Sequence, residues 1–219
     1  MPASALIAAA CMAGCALAYS LGPGFISQKV YGKRFGHKIS WWDARPAVAI
    51  LTVVLAAAMF ATTWGSVRLL LALPLVVFGP TLALIDLGVH RLPNRITSMF
   101  AVATCVVITV AFILDGDGSR LVRAGLAALF FGLFFLLSHF VRGGVGLGDV
   151  KLAPSVFALA GAASWAALGL TLLAAVTMAG LVALGVIVSR RGGLSTPIAL
   201  GPWMLLGLAV GLSLSSTTW

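Results

Sequence analysis

The chain has five acidic residues, all aspartates: Asp43, Asp86, Asp115, Asp117 and Asp149. Two of them stand where a carboxylate is costly. Asp149 closes the glycine-rich stretch Gly144-Val145-Gly146-Leu147-Gly148 and leads into the uncharged run 152–188. Asp86 ends the apolar run 68–87. An aspartate carried to the bilayer centre costs about 2.5–3.5 kcal/mol, so an acid kept at such a place marks function. Two carboxyl groups held close in a poorly solvated site do not both ionise readily, and the pair keeps one proton over a wide pH range. That is the condition for aspartic proteolysis: the charged partner acts as base on a water and the protonated one polarises the scissile carbonyl. A single intramembrane aspartate also suits a proton relay in a transporter. On these residues alone both readings stand, a protease using Asp86 with Asp149 and a proton-coupled multi-pass transporter.

The neighbours of the two acids refine the picture. Gly146 and Gly148 lack Cβ, so backbone and substrate can come close beside Asp149. They also permit irregular backbone ahead of a helix that starts within the interface. A helix beginning near Asp149 places Leu152 and Ala153 on the same face and turns Lys151 away, toward lipid headgroups. His90 lies four residues after Asp86, but Gly88 and Pro93 argue against a helix running through it. The glycine stretch has neither the GxGxxG spacing nor the lysine of a phosphate loop. Asp115-Gly116-Asp117-Gly118-Ser119 begins like a calcium loop, lacks the later ligands and reads as a plain turn. Cys11, Cys15 and Cys105 sit in apolar runs with no CxxC pair, so neither a metal nor any other cofactor is expected. Met12-Ala13-Gly14-Cys15 only faintly resembles a lipobox, and no positive charge precedes it.

The elements that must hold these residues are set by composition. The chain is 61% hydrophobic and 9% charged with a mean hydropathy of +1.13; a soluble domain carries about 25% charged residues. The expected architecture is an all-α integral membrane protein, a bundle of about eight transmembrane helices forming one domain over 1–219. A span needs about 20 apolar residues. The expected spans are 5–21, 46–63, 68–87 (interrupted by Pro74 and Gly79-Pro80), 98–114, 121–141, two within 152–188, and 197–214. The 37-residue run 152–188 is too long for one crossing and should fold back between Gly161 and Gly169.

The net charge of +9 is distributed in short loops and reads as orientation rather than as a nucleic-acid surface. If the basic loop 22–45 is cytoplasmic, so are 88–97, 142–151 and 189–196. Together they hold eleven of the fourteen Lys and Arg, the other three being Arg68, Arg120 and Arg123. Trp41 and Trp42 close the first loop as interfacial aromatics do. This assignment puts Asp86 and Asp149 on one side of the bilayer.

At this point a family resemblance enters. Gly146-Leu147-Gly148-Asp149 matches the GxGD motif of intramembrane aspartic proteases. Gly146-Leu147-Gly148-Asp149-Val150-Lys151-Leu152, with Asp86 followed by His90-Arg91-Leu92-Pro93-Asn94, resembles the type IV prepilin peptidases. Leu200-Gly201-Pro202-Trp203 is similar to a late Gly-Pro-aromatic element of that family, so the resemblance covers 81–203. It implies catalytic roles for Asp86 and Asp149, supported by Gly146, Gly148, Lys151, Pro93 and Asn94. It also implies a prokaryotic plasma-membrane endopeptidase that removes the basic leader of prepilins or pseudopilins at the cytoplasmic face, without cofactor. A signal-peptide-peptidase-like enzyme shares GxGD, but that group has Tyr-Asp where this chain has Ile85-Asp86. The chain departs from the longer prepilin peptidases in its first half. The loop 22–45 has no cysteine, and Gly24-Phe25-Ile26-Ser27 only faintly echoes their Gly-Ser-Phe-Leu-Asn element. With so little in that loop to build an S-adenosylmethionine site, methylation of the new pilin N-terminus is not expected.

The orientation is testable with single reporter cysteines in a background lacking Cys11, Cys15 and Cys105. Cysteines at Lys33, Asn94 and Gly193 should be shielded from an impermeant thiol reagent applied outside, and one at Gly118 should react. Labelling at Asn94 from outside inverts the arrangement.

Overall fold

The computed structural model describes residues 45–63, 66–89, 92–141, 146–189 and 199–215. The described residues form seven helices and no strand: α1 (Arg45–Thr63), α2 (Arg68–Val89), α3 (Asn94–Asp115), α4 (Gly118–Phe140), α5 (Leu147–Ala163), α6 (Trp165–Val188) and α7 (Gly201–Leu214). Four segments are long and apolar enough to cross a bilayer: Arg68–Leu87, Asn94–Asp115, Gly118–Phe140 and Trp165–Val188. The architecture is an all-α membrane bundle. The expected span at 5–21, the loop 22–45 and its aromatics, His90, Arg91, Gly144 and residues 191–198 lie outside the described residues.

Helix boundaries follow local chemistry. Gly116 ends α3 at φ 67°, a left-handed conformation that glycine adopts without penalty. Asp117 then caps α4, accepting from the Ser119 N–H at 3.0 Å and from the Ser119 hydroxyl at 2.6 Å. Those bonds, with Arg123 adding to them, hold the Asp117 carboxyl below the usual carboxylate range. The Asp-Gly-Asp-Gly segment is thus a turn and helix cap. The long uncharged run does fold back, at Ser164 between α5 and α6. That residue is extended and accepts from the Ala167 N–H at 3.0 Å. Pro74 and Pro80 lie inside α2, which continues through both as one helix rather than being interrupted.

α5 is the centre of the bundle. From Leu152 to Ala163 it is buried almost throughout, packed against α4 most extensively and also against α2, α3, α6 and α7. Phe157 on α5 stacks on Phe131 of α4, with ring centroids 3.8 Å apart and planes 16° from parallel. Gly161 lets α4 come close: a Cβ there would lie 2.8 Å from the Arg123 carbonyl oxygen. The last carbonyls of α5 are not left bare. Arg120 Nη1 donates to Ala162 O at 2.9 Å and Arg123 Nε donates to Gly161 O at 3.2 Å. Cations at a helix C-terminus satisfy orphan carbonyls and complement the helix dipole. Asp115 pairs with Arg120, and Asp117 pairs with Arg123 at 3.3 Å.

The second close pair is α6 with α7. Gly207 and Gly211 of α7, four residues apart, face α6, where a Cβ would meet Thr171 O at 2.5 Å and Ala167 O at 2.6 Å respectively. This is small-residue packing of the kind that brings membrane helices together where no hydrophobic force separates protein from lipid. The outer faces of α4 and α6 stay apolar and exposed, for example at Leu129, Phe130, Phe134, Leu173 and Leu181, as a lipid-facing surface requires.

This packing predicts that Gly207→Ala and Gly211→Ala each destabilise the bundle by about 1–3 kcal/mol through overpacking. Gly180→Ala, at a position with open space around it, should be neutral or slightly stabilising. Thermal unfolding in detergent reads the difference.

Candidate active site

Three chain segments meet at one end of the bundle. α2 delivers Asp86 from its last turns. α5 delivers Asp149 from its first turn. α7 begins at the same place. Both carboxyl groups are buried, at 4% and 6% exposure, although each lies near a helix end where water is close in sequence. Their common neighbour is Gly201. Its N–H donates to Asp86 Oδ2 at 3.1 Å, and a methyl group placed on its Cα would lie 2.7 Å from Asp86 Oδ2 and 3.4 Å from Asp149 Oδ1. Asp149 also faces the Leu200 and Gly201 backbone N–H groups. Among the described residues, its buried Oδ1 accepts no hydrogen bond of ordinary geometry.

The two sequence motifs are locked to each other beside the carboxyls. Gly148 packs on Leu92, where a Cβ would come within 3.0 Å of Leu92 Cβ and 3.1 Å of Leu92 N. Glycine is therefore required at 148 by contact with the turn that follows Asp86. Pro93 is the extended residue ahead of α3, and its carbonyl accepts from the Thr97 N–H at 3.1 Å. Asn94, the first residue of α3, accepts from Lys151 Nζ at 2.8 Å through its Oδ1. Gly146 precedes α5 in extended conformation at ψ 143°, and a Cβ there would sit 3.5 Å from Asp149 Oδ2.

The structure thus brings together Asp86, Asp149, Gly146 and Gly148, and bridges Lys151 to Asn94. Leu152 and Ala153 follow Asp149 into the core, both fully buried. Lys151, expected to turn toward lipid headgroups, is exposed and donates to Asn94 on α3. Asp115 and Asp117 sit at the opposite end of the bundle, with the α5 C-terminus. Among the described residues no group of three His, Cys, Asp or Glu side chains could hold a metal. Gly201 is the residue that sequence reasoning undervalued. The Leu200-Gly201-Pro202-Trp203 element was visible, but nothing in it indicated that a backbone N–H would reach Asp86.

The fold and this site define a multi-pass membrane protein with a buried carboxyl pair at one bundle end. The sequence pattern of the type IV leader peptidase family matches residues 71–184, just over half of the 219-residue chain, and the chain belongs to that family. It is a peptidase of the leader-peptidase kind. The matched segment contains Asp86 and Asp149 and stops before Gly201. No curated protein and no solved structure matches the chain.

The contact of Gly148 with Leu92 predicts that Gly148→Ala pushes the two motif segments apart and lowers peptidase activity about ten-fold or more. Lys151→Met should cost only about two- to five-fold, the loss of one exposed hydrogen bond worth about 0.5–1 kcal/mol. Gly125→Ala on α4, with nothing within 4 Å, serves as the neutral control. Initial cleavage rates at matched protein levels decide.

Proposed function

We propose that the chain is an intramembrane aspartic endopeptidase that removes the short basic leader of type IV prepilin-like or pseudopilin proteins at the cytoplasmic face of a prokaryotic plasma membrane. The observation that carries this reading is the convergence of the Asp86 and Asp149 carboxyls on Gly201. In a buried pair, repulsion and desolvation oppose double ionisation, so one proton is shared. One carboxylate removes a proton from a water as that water attacks the scissile carbonyl; the other, protonated, hydrogen-bonds the carbonyl oxygen as it gains charge. The proton taken from water then passes to the leaving amine. No metal or organic cofactor takes part.

The family pattern supports a leader peptidase, and the positive-inside bias of the loops supports the cytoplasmic side. The substrate's features are those that the family resemblance implies, and the placement of the site is compatible with them. A carboxyl pair buried near a bundle end meets peptide at the membrane boundary, where a basic leader gives way to an apolar stem. Gly146, Gly148, Lys151, Pro93 and Asn94 act by holding the two acid-bearing segments in register. The lipid bilayer is the second partner.

Co-expression with a small protein carrying a basic leader, a glycine and an apolar stem tests this directly. Leader loss should appear as a gel-mobility shift with the unaltered protein. Asp86→Asn and Asp149→Asn should each abolish it while accumulating in the membrane, and Asp115→Asn and Asp117→Asn should retain it. Mass spectrometry of the product should show a free, unmethylated N-terminus. An active Asn variant of either Asp86 or Asp149 rules out the two-carboxylate mechanism; a stoichiometric 14-dalton increment rules out a peptidase-only enzyme.

A further inference from the structure

The start of α7 lies beyond the residues matched by the family pattern, yet its geometry is bound to the carboxyl pair more closely than that of any glycine in the GxGD motif. The closest Asp149 approach of a Gly146 Cβ would be 3.5 Å. At Gly201 the same atom would stand 2.7 Å from Asp86 Oδ2, 3.3 Å from Asp86 Cγ and 3.4 Å from Asp149 Oδ1. Contacts below 3.0 Å are not made by real Cβ atoms, and a buried carboxylate on a packed helix has little room to yield. Gly201 also supplies a backbone donor to Asp86 Oδ2. α7 begins with no side-chain cap, and Pro202 next to Gly201 has no N–H to offer. The Asp86 carboxyl therefore takes the place of the missing cap, and α7 in turn fixes the position of that carboxyl.

We infer that Gly201 is a positioning residue of the proteolytic centre: its N–H orients the Asp86 carboxyl, and its missing side chain keeps open the space between Asp86 and Asp149 that the attacking water and scissile carbonyl must occupy. The inference rests on the peptidase reading above and adds a third chain segment to the site. Among the described residues, Asp149 on α5 is a titratable side chain that acts on Asp86 from a neighbouring helix. α7 carries no charged residue, and Lys151 is engaged by Asn94. Pro202 extends the same logic. A proline in the first turn fixes the backbone there without a competing donor, so the Gly201 N–H aimed at Asp86 is held in place.

Two measurements test this. Gly201→Ala should lower kcat by about a hundred-fold, the cost of displacing a reacting group by about 1 Å. KM for the leader substrate should stay within about three-fold, because a positioning role acts on the reacting carboxyl and not on uniform substrate binding. Thermal unfolding in detergent confirms that the variant is folded. Independently of activity, Asp86→Cys with Gly201→Cys, in a background lacking Cys11, Cys15 and Cys105, should form an intramolecular disulfide on mild oxidation. The separation of 3.3 Å between a residue-201 Cβ and Asp86 Cγ is close to what a disulfide needs. Asp86→Cys with Gly185→Cys should form none. The disulfide is read by mass spectrometry of a non-reduced digest. Absence of the 86–201 disulfide overturns the inference, as does a folded Gly201→Ala enzyme with unaltered kcat or with a change in KM alone. A wild-type protein that cleaves no leader refutes the proposed function instead, and the disulfide still decides whether Gly201 sits at the Asp86 carboxyl.

Discussion

Burying two carboxyl groups in an apolar bundle is the constraint that the other features of this structure serve. Buried polar groups cost free energy unless they are hydrogen-bonded, and a membrane protein has few donors to spare. Here the donors are backbone N–H groups at the beginning of α7, which meet the carboxyls of Asp86 and Asp149. The first N–H groups of any helix lack intrahelical partners. Bringing the start of α7 to the acids therefore gives the Gly201 N–H an acceptor and Asp86 Oδ2 a donor, while Asp149 Oδ1 has no hydrogen bond of ordinary geometry among the described residues. Asp149 lies in the first turn of α5, where the positive end of the helix dipole favours a negative group. Two helix N-termini thus supply what solvent would otherwise provide.

The opposite end of α5 is built on the complementary principle. Arg120 and Arg123 donate to its last carbonyls, and Asp115 and Asp117 neutralise those arginines from the preceding turn. The helix that carries Asp149 is therefore fixed at both ends by charge-assisted contacts and along its length by α4. Gly161 and Phe157 set the depth of that packing. A carboxyl group whose position must be held to a fraction of an ångström is placed on a helix buried along most of its length, and a functional group gains from such packing.

Much of this was legible in the sequence because hydropathy and charge are decisive in a membrane. The helices α1 to α4 begin and end within a few residues of the apolar runs that announced them. The fold-back in 152–188 followed from length alone. The break lies between Gly161 and Gly169 as expected, though neither glycine makes it. Gly161 and Gly169 framed the expected break, but Gly161 serves helix contact and Gly169 lies within α6. The break falls at Ser164, whose hydroxyl caps the next helix. The acid pair was legible from scarcity: with five acids in the chain, two at the ends of apolar runs stand out. Two things were not legible. Lys151 reaching Asn94 and the Gly201 N–H reaching Asp86 are contacts between segments 57 and 115 positions apart, and a one-dimensional pattern carries no information about which loop lies over which helix end.

The lengths of α5 and α7 carry a consequence for the bundle. At 17 and 14 residues, they reach about 26 Å and 21 Å at 1.5 Å per residue. The hydrocarbon layer is about 30 Å thick. Both short helices begin at the carboxyl pair and sit beside longer neighbours, so the mismatch is local. A helix that faced lipid would meet such a deficit by thinning the bilayer, at fractions of a kcal/mol per ångström, but longer helices pack around both of these. The deficit therefore falls inside the bundle, where at least one end of each short helix lies within the depth of the hydrocarbon layer that its longer neighbours still span.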